Sequence, residues 1–214
     1  MNTHEALKAR AEALAERVQR AMYEDPFWTE RFGARGEQFA KHDGRQHVLY
    51  LVDALRYGAP KIVVDYATWL QSVLTTRGMC TRHLDDNLAR LAQAIVDDGL
   101  DEDGRPSAYL EAARRALLYP EGSDARAVQD AAPRLVERAA REARADALNH
   151  LSFAADAIAL GRDDLFEGYL AFIVPFLAAR RPTSAAVPNV LRALARDPEA
   201  PPALASLVER TVRA

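Results

Sequence analysis

Cysteine is nearly absent from this sequence, since Cys80 is the only one among 214 residues. A lone cysteine excludes a disulfide within the chain and gives no sign of a secreted, disulfide-rich scaffold. Long apolar runs are also missing, because no stretch reaches the roughly 18 apolar residues of a membrane-spanning helix. The first 22 residues lack the apolar core of a signal peptide. The sequence therefore predicts a cytoplasmic protein without a membrane partner.

An excess of positive charge is missing as well. The formal net charge is −3 and the isoelectric point is near 6.0. Proteins that bind nucleic acids or anionic membranes generally present a positive surface. We therefore expect no nucleic-acid partner.

The sequence also lacks the common catalytic motifs. The sequence contains no glycine-rich phosphate loop, no Gly-x-Ser-x-Gly turn and no His-Glu-x-x-His motif. It also lacks the Glu-x-x-His pairs of a ferritin-like di-iron site. With no evident nucleophile and base, the sequence favours a non-enzymatic protein and requires no cofactor.

What the sequence does contain is one segment that occurs twice. Arg31–Ala92 aligns without a gap on Arg134–Ala195 at an offset of 103 residues, and 14 of the 62 pairs are identical. Ala, Leu and Arg matches arise easily by chance in such a composition, whereas Asp, His, Gly and Tyr matches do not. We interpret the two segments as a duplicated helical unit.

The repeat and the absence of alternating, strand-like patterns predict an all-α fold of two tandem duplicated helical bundles. We expect about four helices in each bundle, one of them long, over about Thr29–Tyr57 in the first and Ala125–Leu160 in the second. The polar segment 99–106 is the expected linker between domains 1–98 and 107–214, which we expect to pack as one unit.

Glycines inside the first long helix predict an irregularity. Gly33, Gly36 and Gly44 each disfavour a helix by about 1 kcal/mol relative to alanine. We therefore expect a break or a close helix contact in this region. Gly58 and Gly161 are expected to end the two long helices.

Polar residues interrupt the apolar stripe of each long helix. Asp43 and His47 stand four residues apart on this stripe, and Asp146 and His150 repeat the pair. One interpretation is a buried structural network, in which the aspartate orients the histidine and a tyrosine hydroxyl or a backbone group completes the set. The other is a ligand pocket between helices. The candidate ligand-binding residues are Asp43, His47, Tyr66, Trp69 and Arg77, and their second-repeat equivalents are Asp146, His150, Tyr169, Phe172 and Arg180.

A metal or haem site is the competing hypothesis. Cys80 and His83 stand three residues apart and offer a thiol and an imidazole, and His47 is a further imidazole. The motif differs from Cys-x-x-Cys-His, and no second ligand pair is evident.

The segment Asp43–Gly78 resembles the central helices of phycobiliproteins and related globin-like sensory domains, and also the helical caps of some cobalamin-binding regulators. The shared features are an early Asp43, Ala-Leu-x-x-Gly-x-Pro over Ala54–Pro60, and Asp65-Tyr66. In phycobiliproteins the matching aspartate faces the bilin pyrrole nitrogens, and a cysteine three residues earlier carries the chromophore; here that position is Ala40.

The resemblance implies a tetrapyrrole as a candidate cofactor. From it and the residues together we expect a non-enzymatic helical sensory or protein-interaction module with an apolar or tetrapyrrole-type ligand pocket. A protein partner or a homodimer is the expected assembly.

Overall fold

The all-α fold class is confirmed by a computed structural model, which describes residues 2–181 and 186–212, without the side chains of residues 142 and 145. Over these residues the chain forms ten α-helices and no strand. The helices are α1 Thr3–Tyr23, α2 Pro26–Tyr57, α3 Lys61–Thr75, α4 Thr81–Asp97, α5 Arg105–Arg115, α6 Asp124–Arg138, α7 Arg144–Leu160, α8 Asp163–Arg180, α9 Val187–Ala195 and α10 Pro202–Thr211. No helix in the described part of the chain is both long enough and apolar enough to span a bilayer.

The helices belong to two compact units. The first unit comprises Met1–Gln71 with His83–Leu117, and the second comprises Ser72–Arg82 with Leu118–Ala214. This division differs from the predicted domains 1–98 and 107–214. Helix α5 belongs to the first unit, whereas the connection between α3 and α4 belongs to the second.

In the first unit, α1 packs along α2 through an apolar stripe. Leu7, Leu14 and Val18 recur at helical spacing on α1 and are buried. The predicted close helix contact is present, since a Cβ added at Gly44 would lie 3.3 Å from the Cβ of Ala15. A small residue at this position lets the two helices approach.

The predicted break in α2 is also present. Gly33 has φ 61° and ψ −170°, outside the helical region, so α2 consists of two helical segments joined at this residue. Only glycine adopts this conformation readily. The break separates the aromatic cluster of Phe27, Trp28 and Phe32 from the rest of the helix.

Substitution of Gly33 tests this break. We expect Gly33→Ala to lower the free energy of unfolding by about 1–3 kcal/mol, because alanine is strained at this φ and ψ. The control is Gly168→Ala in α8, where the new Cβ meets no atom within 4 Å and the helix should gain up to about 1 kcal/mol. Urea denaturation measures both, and an unchanged midpoint for Gly33→Ala would contradict the break.

The predicted second long helix, Ala125–Leu160, is wrong. Helix α6 ends at Arg138, Ala139 is extended, and a single 3-10 turn over Arg141–Ala143 precedes α7. The guanidinium of Arg144 donates hydrogen bonds to the carbonyl oxygens of Glu137 and Ala139. These bonds satisfy carbonyl groups that a continuing helix would have paired.

In the second unit, α6 and α10 pack against α7, and the core is filled by fully buried apolar side chains. These include Leu135, Leu151, Phe166, Leu191, Leu204 and Leu207. At the surface, Arg210 of α10 forms an ion pair with Asp163 at the start of α8.

Candidate functional site

A buried histidine–tyrosine pair joins α2 to α3 in the first unit. His47 Nδ1 lies 2.7 Å from the hydroxyl oxygen of Tyr66. Burial lowers the pKa of His47 to about 4, and it raises the pKa of Tyr66, as does the negative charge of Asp43. At neutral pH the contact therefore joins a neutral imidazole to a protonated phenol.

The same contact occurs between α7 and α8 in the second unit. His150 Nδ1 lies 2.6 Å from the hydroxyl oxygen of Tyr169, and burial lowers the pKa of His150 to about 4. In both units a second ring stacks on the tyrosine at 13°, with centroids 3.9 Å apart for Tyr50 and 3.7 Å apart for Phe153. The predicted contact between the buried histidine and a tyrosine hydroxyl is thus present twice.

The helices that carry the two histidines also end in the same way. Gly58 has φ 61° and ψ 29°, and Gly161 has φ 60° and ψ 33°. Each donates its N–H to carbonyl groups of the last helical turn. This left-handed ending turns the chain towards the helix that carries the tyrosine.

The aspartates of the predicted Asp–His pairs do not orient the histidines. Within the described residues the tyrosine is the hydrogen-bond partner of each histidine. Asp43 is half-buried and acts on Tyr66 through its charge. Asp146 accepts a hydrogen bond from Arg181 at 2.5 Å. The two aspartates lie on the stripe where the sequence analysis placed them. The predicted hydrogen bond from aspartate to histidine is wrong.

The two predicted arginines lie at the ends of α3 and α8. Arg77 is exposed and belongs to the second unit, whereas Asp43 belongs to the first. Arg180 lies over the ring of Phe176, with its guanidinium carbon 4.1 Å from the ring centroid. Asp146 forms an ion pair with the residue that follows Arg180, Arg181.

The two weak metal candidates, His83 and Cys80, are both buried. His83 packs against the rings of Phe27 and Trp28, at centroid distances of 5.2 and 4.8 Å. Cys80 is buried in the second unit. Among the residues that the structure describes, no group of three or more His, Cys, Asp and Glu side chains could hold a metal ion. The geometry gives the metal hypothesis no support.

Two cavities lie away from the histidine–tyrosine pairs. A polar groove of about 730 Å³ runs between α1 and α2, and its lining includes Glu16, Tyr23 and Lys41. A smaller pocket of about 170 Å³ lies between α6 and α9. Neither is lined by a predicted ligand-binding residue. Of those residues, His47 and Tyr66 are packed together, while Trp69 is exposed at the surface.

Sequence reasoning missed Asp156, a buried carboxylate of the second unit. Its Oδ2 accepts a hydrogen bond from the backbone N–H of Thr81 at 2.7 Å, and its Oδ1 accepts bonds from the hydroxyls of Thr81 and Tyr119, both at 2.7 Å. Burial raises the pKa of Asp156 to about 6 despite these three bonds. Asp156 thereby anchors the first residue of α4.

The repeat contained a signal for this site. Asp53 is the residue 103 positions before Asp156, and the match is identical. Asp53, however, is exposed. Within the described part of the chain it makes no hydrogen bond or ion pair. The aspartate of the second unit is therefore buried and hydrogen-bonded, whereas the corresponding aspartate of the first unit is exposed.

Aromatic side chains surround Asp53. Tyr50, Asp53 and Tyr57 share one side of α2, and Trp69 on α3 is connected to Tyr50 through the ring of Tyr66. Tyr50 is 38% exposed, Tyr57 67% and Trp69 59%. We call these four residues, Tyr50, Asp53, Tyr57 and Trp69, the aromatic face.

Known proteins give no guide to this face, because the chain matches no protein-family model, no curated protein and no solved structure. The resemblance of Asp43–Gly78 to phycobiliproteins and to cobalamin-regulator caps therefore stays a prediction. A functional conclusion therefore depends on the contacts, exposure and charge of the described residues.

The histidine–tyrosine pairs and the aromatic face differ in their access to solvent. A buried, neutral imidazole that is bonded to a phenol holds two helices together and has no access to a molecule in solvent. The aromatic face combines large apolar rings with a free carboxylate at the surface. Exposed tyrosine and tryptophan side chains are enriched at protein–protein interfaces.

Proposed function

We propose that this protein is a helical protein-interaction module that binds a partner protein through the aromatic face. The observation that carries the proposal is the exposure of Trp69 and Tyr50 beside the unpaired Asp53. Tryptophan and tyrosine are the residues that most often dominate binding energy at protein interfaces. The proposed setting is the cytoplasm.

The second unit supports this assignment by contrast. We infer that the two units derive from a duplication, since their histidine–tyrosine pairs, stacked rings and left-handed glycines correspond at the same 103-residue offset. In the second unit the counterparts of Tyr50 and Asp53 are Phe153 and Asp156, which are only 4% and 3% exposed. The first unit leaves open a surface that the second covers.

A sensory role with a tetrapyrrole pocket is the alternative, supported by the resemblance of Asp43–Gly78. In this alternative Asp43, Tyr66 and Trp69 contact the ligand. The test is titration with haem or biliverdin, which should produce a saturable visible band that Tyr66→Phe weakens.

Trp69→Ala tests the protein-interaction proposal. A photo-cross-linking amino acid placed at position 57 of the aromatic face, with Trp69 left intact, should join one specific protein in cells. The control positions are Val96 and Leu118, which are 48% and 46% exposed and lie outside the aromatic face. Trp69→Ala should then weaken binding of the purified partner at least tenfold, because truncating a central aromatic side chain typically costs about 1–2 kcal/mol or more.

Two results would contradict the proposal. One is a cross-linked product that forms equally from position 96 or 118. The other is a purified partner whose affinity is the same for wild type and Trp69→Ala.

A further inference from the structure

We infer that the aromatic face receives the first turn of a helix from a partner protein, and that the first residue of that helix is threonine or serine. Asp53 would accept the backbone N–H and the hydroxyl of that residue. The inference rests on the proposed function and adds the chemistry of the partner.

The second unit supplies the pattern. Asp156 bonds both the N–H and the hydroxyl of Thr81, which begins α4. One turn earlier on α7, the hydroxyl oxygen of Ser152 accepts a hydrogen bond from the N–H of Arg82 at 3.1 Å. Side chains of α7 thus satisfy two N–H groups at a helix start, where no partner exists within the helix itself.

The first unit has an aspartate at the same position. Asp53 occupies the position of Asp156, is exposed, and makes no hydrogen bond or ion pair within the described residues. A helix start carries a partial positive charge as well as free N–H groups, so it complements this carboxylate. Tyr50 and Trp69 add apolar surface in the positions of Phe153 and Phe172.

The differences between the two copies limit what the partner must supply. Ser152 corresponds to Leu49, which carries no hydroxyl. The first unit therefore offers one carboxylate flanked by apolar side chains. A single hydroxyl residue at the start of an otherwise apolar helix face matches that surface.

A peptide with residues 72–97 of this chain is the probe, because its Thr81 already binds such a carboxylate in the second unit. Fluorescence anisotropy of the labelled peptide, in reducing buffer and with its helicity checked by circular dichroism, should show saturable binding to the full-length protein. Asp53→Ala should weaken this binding about tenfold, because hydrogen bonds to charged groups are the stronger class. Glu102→Ala, an exposed carboxylate elsewhere, should leave it unchanged.

A second substitution on the peptide identifies the contact. Thr81→Val in the peptide should also weaken binding to the wild-type protein about tenfold. Combining it with Asp53→Ala should cause little further loss, because both changes remove the same hydrogen bonds.

Any of the following results would overturn the inference. The first is equal binding by wild type and Asp53→Ala, and the second is no binding by a helical peptide at millimolar concentration. The third is a dimer of the protein itself that Asp53→Ala dissociates, which would assign the face to a second copy. A natural partner that loses affinity with Trp69→Ala but not with Asp53→Ala would leave the proposed function standing and remove this inference alone.

Discussion

Asp156→Ala is expected to lower the free energy of unfolding by about 3 kcal/mol. The change removes the acceptor of three donors, the buried N–H and hydroxyl of Thr81 and the part-buried hydroxyl of Tyr119. Each donor left unpaired in the interior costs about 1–3 kcal/mol, and relief from burying the carboxylate offsets part of this. Urea denaturation followed by circular dichroism measures the difference.

Asp53→Ala is the matched control, because it is the same substitution at the corresponding position of the first unit. Asp53 is exposed, so its replacement should change stability by no more than about 0.5 kcal/mol. Equal losses for the two variants would show that Asp156 is not the buried anchor of α4.

Lowering the pH from 6.5 to 5 is expected to reduce the free energy of unfolding by about 2 kcal/mol. Burial holds the pKa of His47 and His150 at about 4, below the ordinary value of 6.5. In this window the unfolded chain binds protons that the folded chain does not, so each histidine lowers the free energy of unfolding by roughly 1–2 kcal/mol. The stability that the two neutral histidines contribute is fully present above pH 6.5 and is lost as the pH falls towards 4.

Protonation of Asp156 offsets part of this loss of stability. Its pKa is about 6 in the folded protein, above the ordinary value of 3.8, so the folded chain binds this proton first and regains roughly 1 kcal/mol of stability over the same window. His150→Gln removes one of the two histidine contributions and should leave the pH dependence almost flat. His42→Gln, an exposed control on α2, should retain the full dependence. Wild-type protein that is equally stable at both pH values would contradict the buried, neutral histidines.

Local patterns in the sequence were sufficient for much of the fold. Gly58 and Gly161 end their helices in the left-handed conformation, as predicted. These features depend on residues that are near one another in the chain. The break at Gly33 was foreseeable for the same reason, since glycine weakens a helix wherever it occurs.

The interruption between α6 and α7 was not foreseeable in this way. Residues 136–148 are rich in alanine and arginine, both favourable in helices, and contain no proline or glycine. The helix ends because Ala139 is extended and the side chain of Arg144 binds the last carbonyl groups. Tertiary interactions therefore overrode local preference.

The candidate site was predictable only in part. The repeat singled out His47 and Tyr66 correctly as residues of one cluster, because identical rare residues at a constant offset are informative. It could not show that Asp156 is bonded to Thr81, 75 residues earlier in the chain, while Asp53 is exposed. That difference arises from which segment packs on each copy, and helical periodicity contains no information on it.

Hydroxyl-radical footprinting of the protein, free and bound to its cross-linked partner, tests the binding role of the aromatic face most directly. Tyr50, Tyr57 and Trp69 should be labelled strongly in the free protein, because all three side chains are exposed. The account predicts that partner binding protects Tyr50 and Trp69 while Val96 and Leu118 keep their labelling. Unchanged labelling of Trp69 in the complex, with protection elsewhere, would contradict it.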